Sequence, residues 1–161
     1  MAVVDNNSTA LANAALSARK ANNSIIERGD LLCSSGKMVK AAGDSDGSKY
    51  RIARLPVNAR ILGIRLTHAA CAGATSLDIG VYLPQGAVVL ATALATGLSL
   101  AAARAIPTQV LWTGLTPDNE KRIWEVAAVA ADPKGEYEVV LTLNTAGGNA
   151  VTVFVDIDWV Y

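Results

Sequence analysis

The chain is poor in the residue types that most catalytic and metal-binding sites require. Its 161 residues include one histidine, His68, and two cysteines, Cys33 and Cys71, which lie far apart and form no CxxC pair. These residues exclude a histidine-rich zinc site and a disulfide framework, and they leave any histidine-based triad dependent on a single residue. No glycine-rich loop follows a strand-like run and opens a helix, as nucleotide binding requires. We therefore expect no enzyme, no metal and no cofactor.

Aromatic residues and net charge are low as well. The chain has 3 Trp, 4 Tyr and 1 Phe, and its 14 Lys and Arg balance its 14 Asp and Glu. A carbohydrate-binding surface would be expected to expose a row of aromatics, and a nucleic-acid-binding protein usually carries a basic excess. We therefore expect no nucleic-acid partner. The 52% of hydrophobic residues lean on alanine and valine, which favours one domain with a thin core between two sheets.

No segment has the pattern of a secretion signal or a membrane span. Residues 1–20 lack a basic start followed by an apolar block. Residues 86–103 form an uncharged run of 18 residues, which reaches the length of a membrane helix. Glycine, serine and threonine interrupt this run, much of it is alanine, and its surroundings resemble β structure. We therefore expect no membrane partner.

The clearest pattern in the chain is an alternation with a period of two. Residues 60–68 alternate apolar with other residues, and residues 76–83 do the same. This alternation predicts two half-buried strands, and the small residues between them predict that the strands form a hairpin. In the register that aligns their apolar faces, Arg65 stands opposite Asp78.

The sequence Asp44–Gly47 is similar to the opening of a calcium loop. The match fails where it matters, because Lys49 occupies the place of the required glycine and Leu55 the place of the bidentate glutamate. Aspartate followed by glycine is typical of a tight turn between strands. We therefore predict a hairpin turn at Asp46 and Gly47 and no calcium site.

Weaker strand signals precede and follow the central pair. One strand or two should lie in residues 24–42, one in residues 48–55 and a short one in residues 87–90. Near the end of the chain, residues 136–143 and 151–161 should form a second hairpin. In the last strand the buried face should consist of Val151, Val153, Val155, Ile157, Trp159 and Tyr161. The alternating Asp156 and Asp158 on the other face are expected to be solvated.

Two glycines in the turn of this second hairpin have a predicted role. Gly147 and Gly148 should supply positive φ angles, which makes a phosphate-binding loop improbable.

One short helix is predicted in the C-terminal third. Thr116 can cap it, Pro117 suits the first helical position, and the helix should end by about Ala130. Its core-facing residues should be Ile123, Trp124 and Ala127.

The first 24 residues form an N-terminal arm in our interpretation. They are rich in Asn, Ala and Ser, and Ser8 or Thr9 can cap a short helix through Lys20. The apolar stripe of that helix is too thin to be stable alone. The arm is therefore either disordered or ordered by a partner, and residues 25–161 are the folded domain.

Charge is distributed unevenly along the chain. Residues 1–104 hold eleven basic and six acidic residues, a net charge of +5, and residues 105–161 hold three basic and eight acidic residues, a net charge of −5. The interpretation that we favour is that the asymmetry helps the two sheets of one domain recognise each other. The alternative is a basic face that docks on an acidic partner or on a second copy.

An ordered set of short motifs resembles a known family. The motifs are Tyr50 and Arg51, Pro56, Asn58 to Arg60, Asp78 to Tyr82, Trp124 and Glu125, Asp132 and Pro133, and Tyr137 to Leu143. Over roughly residues 48 to 160 the chain is similar to small structural proteins encoded among the head genes of tailed phages. It departs from them at Leu90, where the family usually has an acidic residue after two valines.

The resemblance implies a capsid cement, or decoration, protein with a jelly-roll fold. It implies an all-β, antiparallel β-sandwich with one short helix and the N-terminal arm. Its partners would be the major capsid protein and itself, as a homo-oligomer (dimer or trimer). It would lie on the outer surface of the capsid in the virion and be assembled in the host cytoplasm. Candidate capsid or oligomer contacts are Val3, Val4, Leu11, Leu16, Arg51 and Arg54.

Two other functions remain open at this stage. The first is another virion component, associated with the tail or a fibre. The second, ranked last because aromatics are few, is a carbohydrate-binding β-sandwich.

Overall fold

The computed structural model describes residues 5–7, 31–73, 75–111 and 121–161 of the chain. The described residues form nine strands and one short helix. The strands are β1 (Asp5–Asn7), β2 (Leu32–Lys40), β3 (Lys49–Pro56), β4 (Arg60–His68), β5 (Ser76–Tyr82), β6 (Val88–Ser99), β7 (Arg104–Gln109), β8 (Glu136–Thr145) and β9 (Val151–Val160), and the helix is α1 (Ile123–Val126).

The strands form two sheets that pack as a sandwich. One sheet has the strand order β1-β3-β8-β5-β6 and the other has the order β2-β9-β4-β7. All neighbouring pairs are antiparallel except β1 with β3, which is parallel. Strands β2 to β9 therefore follow the double Greek key of a jelly roll. The predicted all-β, antiparallel sandwich of jelly-roll type is confirmed.

The core lies between the sheets and consists mainly of aliphatic side chains. In β9 the predicted alternation is confirmed, with the odd-numbered residues from Val151 to Trp159 buried and the even-numbered ones at least partly exposed. Tyr161 follows the end of the strand and is 49% exposed, so its predicted burial is wrong. Gly36 lies inside β2, where a Cβ atom would come 2.8 Å from the side chain of Ile52.

The predicted hairpin of residues 60–68 and 76–83 is wrong, although both strands exist. Strand β4 pairs with β7 and β9, whereas β5 pairs with β6 and β8 in the other sheet. Arg65 consequently lies opposite Asp156 and not opposite Asp78. Alternation fixes which face of a strand is buried, but two strands that face each other across the core bury the same faces as two paired strands.

Two other predicted hairpins also connect different sheets. The turn at Asp46 and Gly47 exists, with Gly47 at φ 81°, but it leads from β2 in one sheet to β3 in the other. The chain likewise crosses between sheets from β8 to β9. Neither Gly147 nor Gly148 has a positive φ, so that prediction is wrong. Within the described residues, β5 and β6 form the one hairpin of consecutive strands.

The helix is shorter than predicted. Its N-cap is Arg122, and it gives way after Val126 because Ala128 adopts a left-handed φ of 56°. Ile123 and Ala127 are buried as predicted, whereas Trp124 is only partly buried. The predicted cap, Thr116, and Pro117 lie outside the described residues, as do residues 8–30, which hold most of the arm.

The alanine-rich middle of the chain contains more strand than predicted. Strand β6 has 12 residues where a short strand was predicted in residues 87–90, and β7 was missed. Small residues give little contrast between faces, so the alternation in β6 is weak. Pro107 argues against a central strand, but β7 is an edge strand, where proline is tolerated.

Candidate interaction surfaces

A buried group of charges lies on the outer face of the five-stranded sheet. Glu138 in β8 is fully buried and stands between Arg54 on β3 and Tyr82 on β5. Its Oε2 accepts hydrogen bonds from Arg51 Nη1 at 2.5 Å and from the backbone N–H of Gln85 at 3.0 Å. Its Oε1 accepts from Arg54 Nη2 at 2.7 Å. Both oxygens of this buried carboxylate are therefore compensated.

The same charges hold the connection between β5 and β6 against the sheet. Arg51 Nη2 donates to the carbonyl oxygen of Gly86 at 3.3 Å, so residues 85 and 86 are bound by both members of the buried ion pair. The connection is also closed on itself, because the Leu83 N–H donates to Ala87 O at 3.0 Å. The loop is thus held by hydrogen bonds to the sheet and within itself.

Apolar side chains are exposed around this fixed loop. Leu83 is 46% exposed, Val88 49% and Leu90 37%, and Ala87 between them is exposed as well. We call these four residues the apolar corner. They lie in the β5–β6 hairpin at the edge of the five-stranded sheet. Exposed apolar groups that are clustered on a rigid element are typical of contact surfaces.

The outer face of the four-stranded sheet is open and mostly polar. Phe154 in β9 is 53% exposed and stands between Lys37 on β2 and Thr67 on β4. Val39, which lies two residues further along β2 from Lys37, is 56% exposed. This face therefore presents a few exposed apolar side chains among polar neighbours.

The acidic residues of β9 are paired on this open face. Asp158 accepts from Arg65 Nη1 at 2.5 Å and from Nη2 at 2.9 Å, and this hydrogen-bonded partner raises the pKa of Arg65. Asp156 accepts from Ser35 Oγ at 2.6 Å. The expectation that these two carboxylates are merely solvated is incomplete, because each has a cross-strand partner.

Lys40 is a buried cation that the sequence reasoning missed. Its Nζ donates to the carbonyl oxygens of Gly147 at 2.6 Å, Asn149 at 2.9 Å and Ala41 at 3.1 Å. The ammonium group thereby ties the loop between β8 and β9 to the end of β2. The alternation of β2 could have identified it, since Lys40 lies two residues after Met38 and therefore on the same, buried face of the strand. We assign it a structural role.

The described residues contain no group of three or more His, Cys, Asp and Glu side chains with the spacing of a metal site. No described helix is long and apolar enough to cross a membrane. His68 is buried at the end of β4 with its Nδ1 beside the carbonyl oxygen of Ala69 at 2.8 Å. Cys71 is buried and Cys33 is exposed, and both are free thiols.

The candidate contact residues fall into two groups. Val3, Val4, Leu11 and Leu16 lie outside the described residues. Arg51, which is 3% exposed, and the half-buried Arg54 are brought together on Glu138. The structure thus gives both arginines a partner within the chain, and a contact role for any of the six stays a prediction.

No protein-family model matches the sequence, and no curated protein matches it. Solved structures are more informative. The chain superimposes on a chain of the cyanophage Pam1 capsid asymmetric unit with a TM-score of 0.50 and 18% identity, over 90% of this chain and 96% of that one. It superimposes on a chain of the Ralstonia phage GP4 capsid with a TM-score of 0.59 and 14% identity, over 87% of this chain and 90% of that one. The fold is one that phage capsids contain. At these identities the likeness concerns the fold alone.

Proposed function

We propose that this protein is a non-enzymatic structural component of a phage virion, which decorates and cements the capsid by bridging major capsid protein subunits. The observation that carries the proposal is the shared jelly roll. The match covers 90% and 87% of this chain and at least 90% of each capsid chain, so it concerns the whole domain and not a common submotif.

The distribution of charged and apolar side chains supports a contact role. The ion pairs of Arg51, Arg54 and Arg65 are formed within the chain, where they stabilise neighbouring strands. The apolar corner and the face around Phe154 are exposed. A rigid sandwich with such surfaces can add the free energy of its contacts to a subunit boundary, and many copies multiply a modest contribution from each site.

The finer parts of the proposal concern place and partners. The protein would sit on the outer surface of the capsid, bound to the major capsid protein and to further copies of itself, after assembly in the host cytoplasm. The arm of residues 1–24 would contribute to docking. A symmetric oligomer suits this role because it presents the same contact to several subunits at once.

The test compares capsids that contain the protein with capsids from which it has been removed. Resistance of the shell to heat, to chelation and to the pressure of packaged DNA should fall when the protein is absent and return when purified protein is added back. Cryo-electron microscopy of the virion should locate the protein on the outside of the shell. Equal resistance of both shells would refute cementing, and localisation on tails alone would favour a tail or fibre component.

A further inference from the structure

The apolar corner lies in the longest part of the chain without charge. No Asp, Glu, Lys, Arg or His occurs between Asp78 and Arg104. The four corner residues, Leu83, Ala87, Val88 and Leu90, are nevertheless exposed. Exposed strands in monomeric proteins usually carry charged residues that keep other chains away. This strand lacks them.

The other sheet edges that the structure describes each carry a charged residue or a proline, although Ile106 in β7 is 74% exposed. Strand β6 is the last strand of its sheet, and the other three edge strands are β1, β2 and β7. The first of these contains Asp5, the second an exposed Lys37, and the third both Arg104 and Pro107. Charge and proline at an edge oppose pairing with a second chain. Only β6 among the four has neither.

The corner is also held rigid by an unusual use of buried charge. Glu138 and Arg51 bind the backbone of Gln85 and Gly86, between the exposed Leu83 and Val88. A buried ion pair contributes little net stability compared with well-packed apolar side chains. Here the pair also holds the backbone of this loop in place. A surface that is already fixed loses less conformational entropy when it binds.

The absence of charge favours a second copy of this chain as the partner. In a contact with two-fold symmetry each residue near the axis lies close to its own counterpart, so any charge there would face a like charge. An apolar, uncharged surface avoids this repulsion and is complementary to itself. A charged partner, in contrast, would be recognised by charges that this surface does not have.

We infer that the apolar corner is a self-association surface through which two copies of the protein form a two-fold symmetric dimer. The inference deepens the proposed function, since it specifies the oligomer that would bridge capsid subunits. It concerns the free protein, however, and is tested without any capsid.

The experiment measures the mass of the full-length protein by sedimentation velocity over a series of concentrations. The wild-type protein should reach twice the 16.7 kDa of one chain. Val88→Lys places a charge against its own counterpart and should raise the dimer Kd about tenfold or more. The matched control is Ile106→Lys, because Ile106 is 74% exposed compared with 49% for Val88 but lies on the other sheet, in the edge strand β7. It should leave the Kd unchanged.

Circular dichroism and the thermal midpoint establish that each variant is folded, and Leu83→Lys replaces Val88→Lys if the latter is not. A wild-type protein that is monomeric at every concentration would overturn the inference. So would a dimer that both lysine variants weaken equally, or one that neither corner variant weakens. A wild-type dimer that does not bind capsids would instead refute the proposed function and leave this inference standing.

Discussion

Glu138 connects two arginines of β3 to the loop between β5 and β6 on the five-stranded sheet. It is fully buried, accepts hydrogen bonds from two arginines and one backbone N–H, and lies two residues from Glu136, which is 53% exposed. Removing one partner of a buried ion pair is costly because the other charge stays buried without compensation. Exposed pairs contribute much less, because water and salt screen them. The two glutamates therefore form a natural comparison.

We predict that Glu138→Gln lowers the free energy of unfolding by about 3 kcal/mol or more, because it removes the buried carboxylate that accepts hydrogen bonds from Arg51 and Arg54. Glu136→Gln removes only a 3.8 Å contact with Arg54 and should cost under about 1 kcal/mol. Urea denaturation of both variants at one pH measures the difference. Similar losses of unfolding free energy in the two variants would show that the burial of Glu138 does not increase the cost of removing its charge.

Gly147 and Gly148 are adjacent but have different surroundings. A Cβ atom at Gly147 would come within 3.0 Å of both Thr75 Oγ1 and the carbonyl oxygen of Ala72, whereas one at Gly148 would meet nothing within 4 Å. The Gly147 N–H also donates to Thr75 Oγ1 at 2.9 Å. The backbone of the β8–β9 loop thus packs directly on the loop between β4 and β5.

We predict that Gly147→Ala destabilises the protein by about 1 to 3 kcal/mol, because the added methyl group forces two loops apart. Gly148→Ala should change the free energy of unfolding by less than about 1 kcal/mol. The thermal midpoints of the two variants provide the measurement. If Gly148→Ala proved the more harmful change, the packing of this loop would have to differ from the one described.

At the scale of elements, the buried face of a strand was predictable from the sequence, but the strands with which it pairs were not. The buried face of β9 and the locations of β4 and β5 follow from alternation alone. Pairing depends on which strands meet across the sheet, and in a jelly roll most consecutive strands lie in opposite sheets. Local turn signals such as Asp46 and Gly47 identify a change of direction without stating which sheet the chain enters.

The candidate surfaces were predictable only in part, for the same reason. Arg51 and Arg54 are among the predicted contact residues, but the sequence does not indicate that both bind Glu138, which is 87 and 84 residues away along the chain. The apolar corner was missed because Leu83 and Val88 belong to strand-like runs whose burial the sequence does not fix. The hydrogen bonds that hold the loop between them come from Arg51 and Glu138, which lie in other strands.

The proposed arm is the element with the most direct functional test. Its described part, β1, has three residues and pairs with the edge of β3. Deletion of residues 2–22 should therefore change the thermal midpoint of the free protein only slightly, while it weakens binding to the capsid, because ordering such a segment on a partner adds contacts. Binding is measured by cosedimentation with shells. A large loss of stability without any loss of binding would assign the arm to the fold.

At the scale of the whole molecule, the opposite charges of the two halves meet inside the domain. The ion pairs of Arg51, Arg54 and Arg65 each join a residue of the first 104 to an acidic residue of the remainder, Glu138 or Asp158. The contacts are intramolecular, but they do not support the interpretation that charge helps the two sheets recognise each other. The pairs link strands within each sheet, β3 to β8 and β4 to β9, and not one sheet to the other.

The pH dependence of the whole fold should be governed at the alkaline end by two buried tyrosines. Burial raises the pKa of Tyr50, whose hydroxyl also donates a hydrogen bond to Asp44, and burial together with the charge of Asp132 raises the pKa of Tyr137. Both phenols stay protonated in the folded protein at a pH where they ionise in the unfolded chain. The unfolded state then binds fewer protons, so stability falls as pH rises.

We predict that the free energy of unfolding loses a contribution from Tyr50 that is fully present below about pH 10, the ordinary tyrosine pKa, and declines above it. In Tyr50→Phe the decline should be shallower by up to about 1.4 kcal/mol per pH unit, which is the contribution of one proton. This difference in slope is separate from the stability that the variant loses at neutral pH with its hydrogen bond to Asp44. Urea denaturation from about pH 8 to about pH 11 measures both slopes, and tyrosinate absorbance reports when the phenols ionise. Equal slopes in the two proteins would mean that the Tyr50 hydroxyl ionises as readily in the folded protein as in the unfolded chain, which would contradict the effect assigned to its burial and to its hydrogen bond with Asp44.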